Sequence, residues 1–369
     1  RVDYIKPTPD FHPSLSFDFD EAFDVIGEEV RHVQENVGLC EVNGFNRFEI
    51  TGADRHSFLD RMFCGAVTKR DERVGLGYLL NDHGMVKGEA TVANLPASDR
   101  GPARVWYGSA AASEYHDMDW LTEHLNADED VQIRSLTNDH TILVLAGPNA
   151  RDVLNACSRE DWSKEAFPWL SARECFIGFA PAVVLGVSFS GELAYEIHVP
   201  NASLFAAYLT LREAGKDHDL KLFGARAVDA MRMEKGFMHW KADLLTEFDP
   251  FETGLDRFVK PEKDDFIGRE ALLKRMANGP TRKLVTLKID STKTPAHGGA
   301  SLMQADTVVG TITSGDWGYR VGMNLAYAFV MPELAAVGSK MQLDLCGDLV
   351  DAEVITPSPY DADYSRMRA

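Results

Sequence analysis

The stretch Val187-Ser-Phe-Ser-Gly-Glu-Leu-Ala-Tyr-Glu-Ile-His-Val199 decides how this chain is read. Residues 182–199 have the pattern of a hairpin that turns near Ser190-Gly191. Side chains alternate across a strand, so Tyr195, Ile197 and Val199 share one face and Glu196 and His198 share the other. Pattern alone gives a core side and a solvent side. The second reading of the polar face puts Glu196 in a pocket. A carboxylate there could accept two hydrogen bonds from an amino-pyrimidine edge, because paired N–H donors match its two oxygens.

Upstream, residues 141–146 read as an apolar strand, and Gly147-Pro148 opens a helix through about residue 156. Residues 47–51, 78–80, 85–95 and 103–107 read as strands, with Asn81-Asp82-His83-Gly84 as the turn between the second and third. Helices are expected at 19–36, 55–63 and 113–126, after an irregular lead-in over 1–20. Glu89 shares its parity with Thr91, Ala93 and Leu95, a mostly apolar face. Burying a charge there costs energy unless it is paired or protonated. The bland alternative is a glutamate at a sheet edge that reaches water.

Downstream, 202–214 and 223–236 read as helices. Asp229 and Arg232 lie three apart on the second. They either pair on its surface or leave Arg232 to meet an anionic ligand in a cavity. Among the aromatics Trp106, Tyr107, Trp240, Trp317 and Tyr319, core packing explains most. A flat heterocycle would need one or two as stacking walls, and Trp240 and Tyr107 are the candidates. From Arg282 onward the segments 283–289, 307–313, 325–330 and 341–345 are strand-like and separated by turns. The expected division is therefore 1–279 and 280–369, with the linker at Asn278-Gly279-Pro280 and a loose tail from Asp361.

The chain has 369 residues, 45% of them hydrophobic, which is enough for a large core and too long for one typical domain. A net charge of -19 repels polyanions and argues against nucleic acid or anionic membrane as partner. Five cysteines with no CxxC pair point to a reducing compartment rather than a disulfide framework. The expected location is the cytoplasm, or the mitochondrial matrix in a eukaryote. The eleven histidines include no HExxH or HxH, so no metal site is expected. There is no GxGxxG, Walker loop or GxSxG, and no apolar run of about 20 residues. The chain opens on Arg1 rather than Met, as a trimmed product or a piece of a longer chain does.

Five motifs then fall in order: Ser-Phe-Ser-Gly-Glu-Leu-Ala-Tyr-Glu (188–196), Arg-Met-Glu-Lys-Gly (232–236), Asp-Pro-Phe-Glu-Thr-Gly-Leu (249–255), Asp-Phe-Ile-Gly-Arg-Glu-Ala-Leu (265–272), and Thr-Ser-Gly (313–315) followed by Leu-Ala-Tyr-Ala-Phe-Val (325–330). Together they resemble the aminomethyltransferase family of the glycine cleavage system. The likeness is strongest to the C-terminal, folate-binding half of dimethylglycine and sarcosine dehydrogenases, and it runs over about 13–357. The resemblance implies an α+β fold of three subdomains in a ring around a central folate channel, ending in a small β-barrel. It implies tetrahydrofolate as ligand. Glu196 matches the glutamate that grips the pterin edge, Arg232 matches an arginine at the folate site, and Tyr195 belongs to the same motif and is expected to line the pocket. Glu89 matches the family acid, usually aspartate, beside the reactive folate nitrogens.

The chain departs from the family at Glu89, where one extra methylene moves the carboxylate by about an ångström, at Phe189, where tyrosine is typical, and at His239. In the dehydrogenase relatives a flavin half oxidises an N-methyl group to an iminium or formaldehyde. Its carbon then reaches tetrahydrofolate as methylenetetrahydrofolate. Glu89 is expected to act there as base or electrostatic stabiliser, and FAD belongs to a separate domain or subunit. Three alternatives stay open. One is a methyltransferase using a sulfonium compound or aromatic ether, another is the folate domain of a trimethylamine-oxide demethylase, and the third is a non-catalytic folate-binding subunit.

Overall fold

The expected N-terminal strands are present in the computed structural model, which describes residues 2–369, and they join one antiparallel sheet. Its order is Val74–Leu80, Val86–Leu95, Arg104–Ala110, Phe45–Thr51, Gln132–Ser135. Alternation sorts its side chains. Phe48, Ile50, Val92 and Tyr107 pack with Phe58, Leu59 and Met62 of the Arg55–Met62 helix. Val74, Ala93, Leu95 and Trp106 point the other way, onto a second sheet. Each Val, Leu, Ile, Phe or Met side chain on these faces contributes about 1.5–3 kcal/mol when fully buried.

The second sheet has six strands in the order Leu220–Leu222, Val37–Glu41, His140–Ala146, Ala194–Pro200, Ala180–Leu185, Ala172–Ile177. The first pair is parallel and the others antiparallel. Leu145, Tyr195, Ile197 and Val199 bury one face against the Ala150–Cys157 and Leu204–Ala214 helices. The opposite face is covered differently along its length. Val183 and Leu185 meet the first sheet. Ala146 and Ala194 meet the Ala22–Glu35 and Ala225–Lys235 helices. Between the two coverings, the sheet face is open at Glu196.

The C-terminal strands close into a barrel, in the order Lys283–Ile289, Met323–Val330, Thr307–Gly318, Ser301–Gln304, Lys340–Leu345, Asp348–Ile355. Leu287, Leu302, Ala328 and Leu343 fill it. The Ala225–Lys235 helix lies on its outside through Met233, Leu325 and Tyr327. The expected α+β fold, three subdomains about a central cavity with a terminal barrel, is the one observed. Among the described residues, no helix is long and apolar enough to cross a membrane.

Local detail sharpens the expectations and corrects one of them. The hairpin over 182–199 is built from Ala180–Leu185 and Ala194–Pro200, and its register centres the long loop between them on Ser190-Gly191, as expected. The short strands Val37–Glu41, Ala172–Ile177 and Ser301–Gln304 and the helix Arg269–Asn278 carry patterns too brief or too polar to stand out. The tail is not loose. Lys235 donates to the Asp361 carboxylate at 2.9 Å with both groups buried, Arg366 pairs with Glu192, and Met367 is buried. Gly236 ends its helix at φ +80°, and a Cβ there would come within 2.3 Å of the Pro357 carbonyl oxygen. The tail thus runs directly against the helix end.

Candidate functional site

Where the two sheets diverge, a cavity of about 750 Å³ opens. The first sheet supplies Tyr78, Glu89 and Thr91, and the second supplies Glu196. The Ala225–Lys235 helix with the following loop supplies Asp229, Phe237 and Trp240, and the tail supplies Tyr364 and Met367. A volume of several hundred cubic ångströms that combines aromatic and apolar walls with polar groups suits a heterocyclic ligand.

Glu89 and Tyr78 are direct partners across the strand pair whose register the 81–84 turn fixes. The Tyr78 hydroxyl donates to Glu89 Oε2 at 2.8 Å. Desolvation pushes the Glu89 carboxyl up to about 7, against the lowering effect of that hydrogen bond. Burial, with the Glu89 charge beside it, holds the Tyr78 phenol well above its usual range, so the hydroxyl stays a donor. The acid is therefore poised to exchange a proton near neutral pH.

Glu196 sits across the cavity. His198, two residues on and on the same face, lies with Nε2 3.3 Å from Glu196 Oε2. Trp240 donates its indole N–H to Ser113 Oγ at 2.6 Å, which fixes the plane of the ring. Phe189 and Phe237 stack at 6.1 Å between centroids, and both border the cavity. A flat ligand could meet these rings, while Glu196 could take its N–H edge. The residues present thus fit a pterin.

The structure brings Glu89, Glu196 and Trp240 together at the cavity and places the other three candidates elsewhere. Tyr195 follows its parity, packing against Trp162 and Phe167 on the helix-covered face. Tyr107 stacks on Phe48 at 5.5 Å in the first sheet's outer core. Arg232 is 3% exposed and bonds Asp243 at 2.6 Å, Asp229 at 2.8 Å and Ser314 at 3.1 Å. It clamps the helix to the barrel. The expected surface pair with Asp229 exists, but the arginine end is buried.

Tyr78, Phe237 and the tail residues escaped sequence reasoning. The 81–84 turn was the available signal for Tyr78, since it sets Tyr78 opposite Glu89. Cys64, Cys157 and Cys175 are pushed up to about 12 by burial and remain neutral thiols, which excludes them as activated nucleophiles at neutral pH. Among the described residues, no cluster of His, Cys, Asp and Glu is arranged to hold a metal ion.

The family model described as the GCVT N-terminal domain matches residues 4–263, and that of the glycine cleavage T-protein C-terminal barrel domain matches residues 282–361. The mitochondrial dimethylglycine dehydrogenase of Rattus norvegicus is 31% identical over 354 residues, covering 95% of this chain and 41% of that protein. The chain thus spans about two-fifths of the length of such relatives. The aminomethyltransferase of Caldanaerobacter subterraneus is 26% identical, covering 93% of this chain and 90% of the relative. The crystal structure of the glycine cleavage system aminomethyltransferase T from Bartonella henselae has the same fold, with a TM-score of 0.81 at 20% identity over 95% of this chain and 94% of that one. The chain belongs to the glycine cleavage T-protein family of folate-dependent aminomethyltransferases.

Proposed function

We propose that the chain binds tetrahydrofolate in the central cavity and loads onto it the carbon of an oxidised N-methyl group, giving methylenetetrahydrofolate. The donor class is a dimethylglycine- or sarcosine-like amine. A flavin that performs the oxidation belongs to another domain or subunit. The observation that carries this reading is Glu89: a carboxyl held near neutrality on the cavity wall, with a hydroxyl donor beside it. The likeness to a dimethylglycine dehydrogenase supports the donor class.

Tetrahydrofolate, when bound, supplies the amine nitrogens that take up the one-carbon unit. The protein's part follows from its own groups. Glu196 receives the N–H edge of the pterin, and Trp240 with the Phe189–Phe237 pair bounds its faces. As a folate nitrogen bonds to the carbon, the carbon's bond to its donor would break and the demethylated amine would leave, or water where the carbon comes as formaldehyde. Glu89 would accept the proton that nitrogen gives up, and the Tyr78 hydroxyl would hold the carboxylate in place. The long carboxylate reaches further than an aspartate from the same strand position. Enclosure of the cavity by the tail keeps a reactive one-carbon fragment from water.

Two measurements test this. Titration of tetrahydrofolate against the wild type and Glu196→Ala should show weaker binding by the variant, and equal affinities would sink the pterin assignment. Supplying tetrahydrofolate with formaldehyde, or with a methyl-sulfonium compound, and identifying the folate product should give methylenetetrahydrofolate from the first. Methyltetrahydrofolate formed from the second would instead establish direct methyl transfer. Glu89→Ala should slow the reaction at saturating folate, and an unchanged rate would remove Glu89 from the chemistry.

A further inference from the structure

Glu196 is the end of a polar chain that crosses between the two sheets. Trp106, on the Arg104–Ala110 strand, is 3% exposed and donates its indole N–H to His198 Nδ1 at 3.2 Å. His198, on the Ala194–Pro200 strand, is also 3% exposed. An indole nitrogen can only donate, so Nδ1 must be the bare nitrogen of the ring and the proton must sit on Nε2. That proton faces Glu196 Oε2 at 3.3 Å. We propose that His198 is a positioning residue: fixed in one neutral tautomer by Trp106, it donates to Glu196 and orients that carboxylate in the cavity. The proposal rests on Glu196 being the ligand-holding carboxylate.

Three points support it. First, the surroundings keep the imidazole neutral. Burial pushes His198 down, the Glu196 carboxylate opposes this, and the Arg47 guanidinium adds to it. Arg47 is itself 2% exposed, and its Nε and Nη1 have no partner among the described residues. His140, whose ring meets Trp106 edge-on at 5.2 Å, is pushed down to about 4, first by burial and then by His198 and Arg47. A second proton on His198 would also set an N–H against the indole N–H. Second, a neutral donor holds Glu196 without cancelling its charge, which the ligand's N–H pair requires. Third, Trp106 lies opposite Ala93 on the strand pair that carries Glu89, and Ala93 and Glu89 share a face. The chain therefore ties the carboxylate on one sheet to the sheet bearing Glu89, and so bears on how far apart the two acids stand.

The test uses the whole chain. Nitrogen NMR of the histidine rings without folate should show His198 with Nδ1 bare and Nε2 protonated from pH 6 to pH 8, and Trp106→Phe should release that preference. An Nδ1-protonated or cationic His198 in the wild type would overturn the proposal. Tetrahydrofolate titration of folded variants, checked by thermal melting, supplies the second readout. Losing one hydrogen bond to a charged group is expected to weaken binding by His198→Leu about tenfold. His198→Gln, which returns an N–H near the Nε2 position, should recover most of that loss. If Glu196→Ala weakens binding but His198→Leu does not, the positioning role falls while the reading of Glu196 survives. If Glu196→Ala binds like the wild type, that reading falls and the proposal with it. Equal loss in His198→Leu and His198→Gln, with both folded, also counts against it.

Discussion

Replacing Glu89 by glutamine should make the protein more stable at alkaline pH while removing its chemistry. The carboxyl moves from an ordinary 4.5 to about 7 in the folded chain because its surroundings desolvate the charge. Below about pH 4.5 the group is protonated in both folded and unfolded states and contributes nothing. Between 4.5 and 7 the unfolded chain loses the proton and the folded chain keeps it, so the folded state binds more protons and stability falls as pH rises. Above 7 the loss is complete. At about 1.4 kcal/mol per tenfold change in proton affinity, the rise from 4.5 to about 7 gives roughly 3 kcal/mol, and contact with the cavity reduces the figure toward about 2. Glutamine carries no charge, and its amide oxygen can still accept from Tyr78. The assay is urea unfolding of wild type and Glu89→Gln at pH 5, 6, 7 and 8.5. The variant's advantage should be smallest at pH 5, about a quarter of its final value, grow through pH 6 to 7, and level off at about 2–3 kcal/mol. A difference that does not change with pH would refute the claim that Glu89 becomes charged in a desolvating site.

Three other outcomes follow from the contacts. Tyr195→Phe and Tyr107→Phe should leave tetrahydrofolate affinity within about twofold of wild type, measured by titration, since both rings lie in cores away from the cavity. Asp243→Ala should destabilise by about 3–5 kcal/mol, read from the urea midpoint, because Asp243 is fully buried and its loss leaves Arg232 without its 2.6 Å partner. Deleting residues 361–369 should lower the melting temperature by several degrees and weaken tetrahydrofolate binding. The deletion strips Lys235 and Glu192 of Asp361 and Arg366, and it removes Tyr364 and Met367 from the cavity wall.

Strand parity is the most legible feature of this chain, and at the site it separates neighbours that motif membership groups together. Period two separates Tyr195 from Glu196 and Tyr107 from Trp106 at once, and the structure honours both separations. Tyr195 lies inside the 188–196 motif and Tyr107 is an aromatic beside Trp106, yet each neighbours a residue that points the other way. The barrel was legible because the Lys340–Leu345 strand and its partners alternate cleanly between buried and exposed positions. The tail was not, since an Asp-Tyr-Ser-Arg segment looks solvated until Lys235 and Glu192 are seen waiting for its charges. Long-range pairing of this kind leaves no local periodicity to read.

Counting hydrogen-bond capacity separates groups that hold the fold from groups that remain available to a ligand. Arg232 has five N–H donors. Four of its hydrogen bonds are recorded, to Asp229, Asp243, the Phe237 carbonyl and Ser314, so little capacity is left for an anionic ligand. Glu192 is likewise committed to Arg320, Arg366 and Tyr360, and Glu234 to Arg320 and Val321. An ionised carboxylate can accept about four hydrogen bonds. Among the described residues, Glu89 accepts one, from Tyr78, and Glu196 has one partner, His198. These two acids keep most of their accepting capacity, and both border the same cavity. Among the described residues, neither acid has a carboxylate oxygen sealed from solvent without a partner, so groups entering the cavity can supply further donors, and it is this under-bonded pair, not the tightly bonded arginine, that has capacity to spare for a ligand.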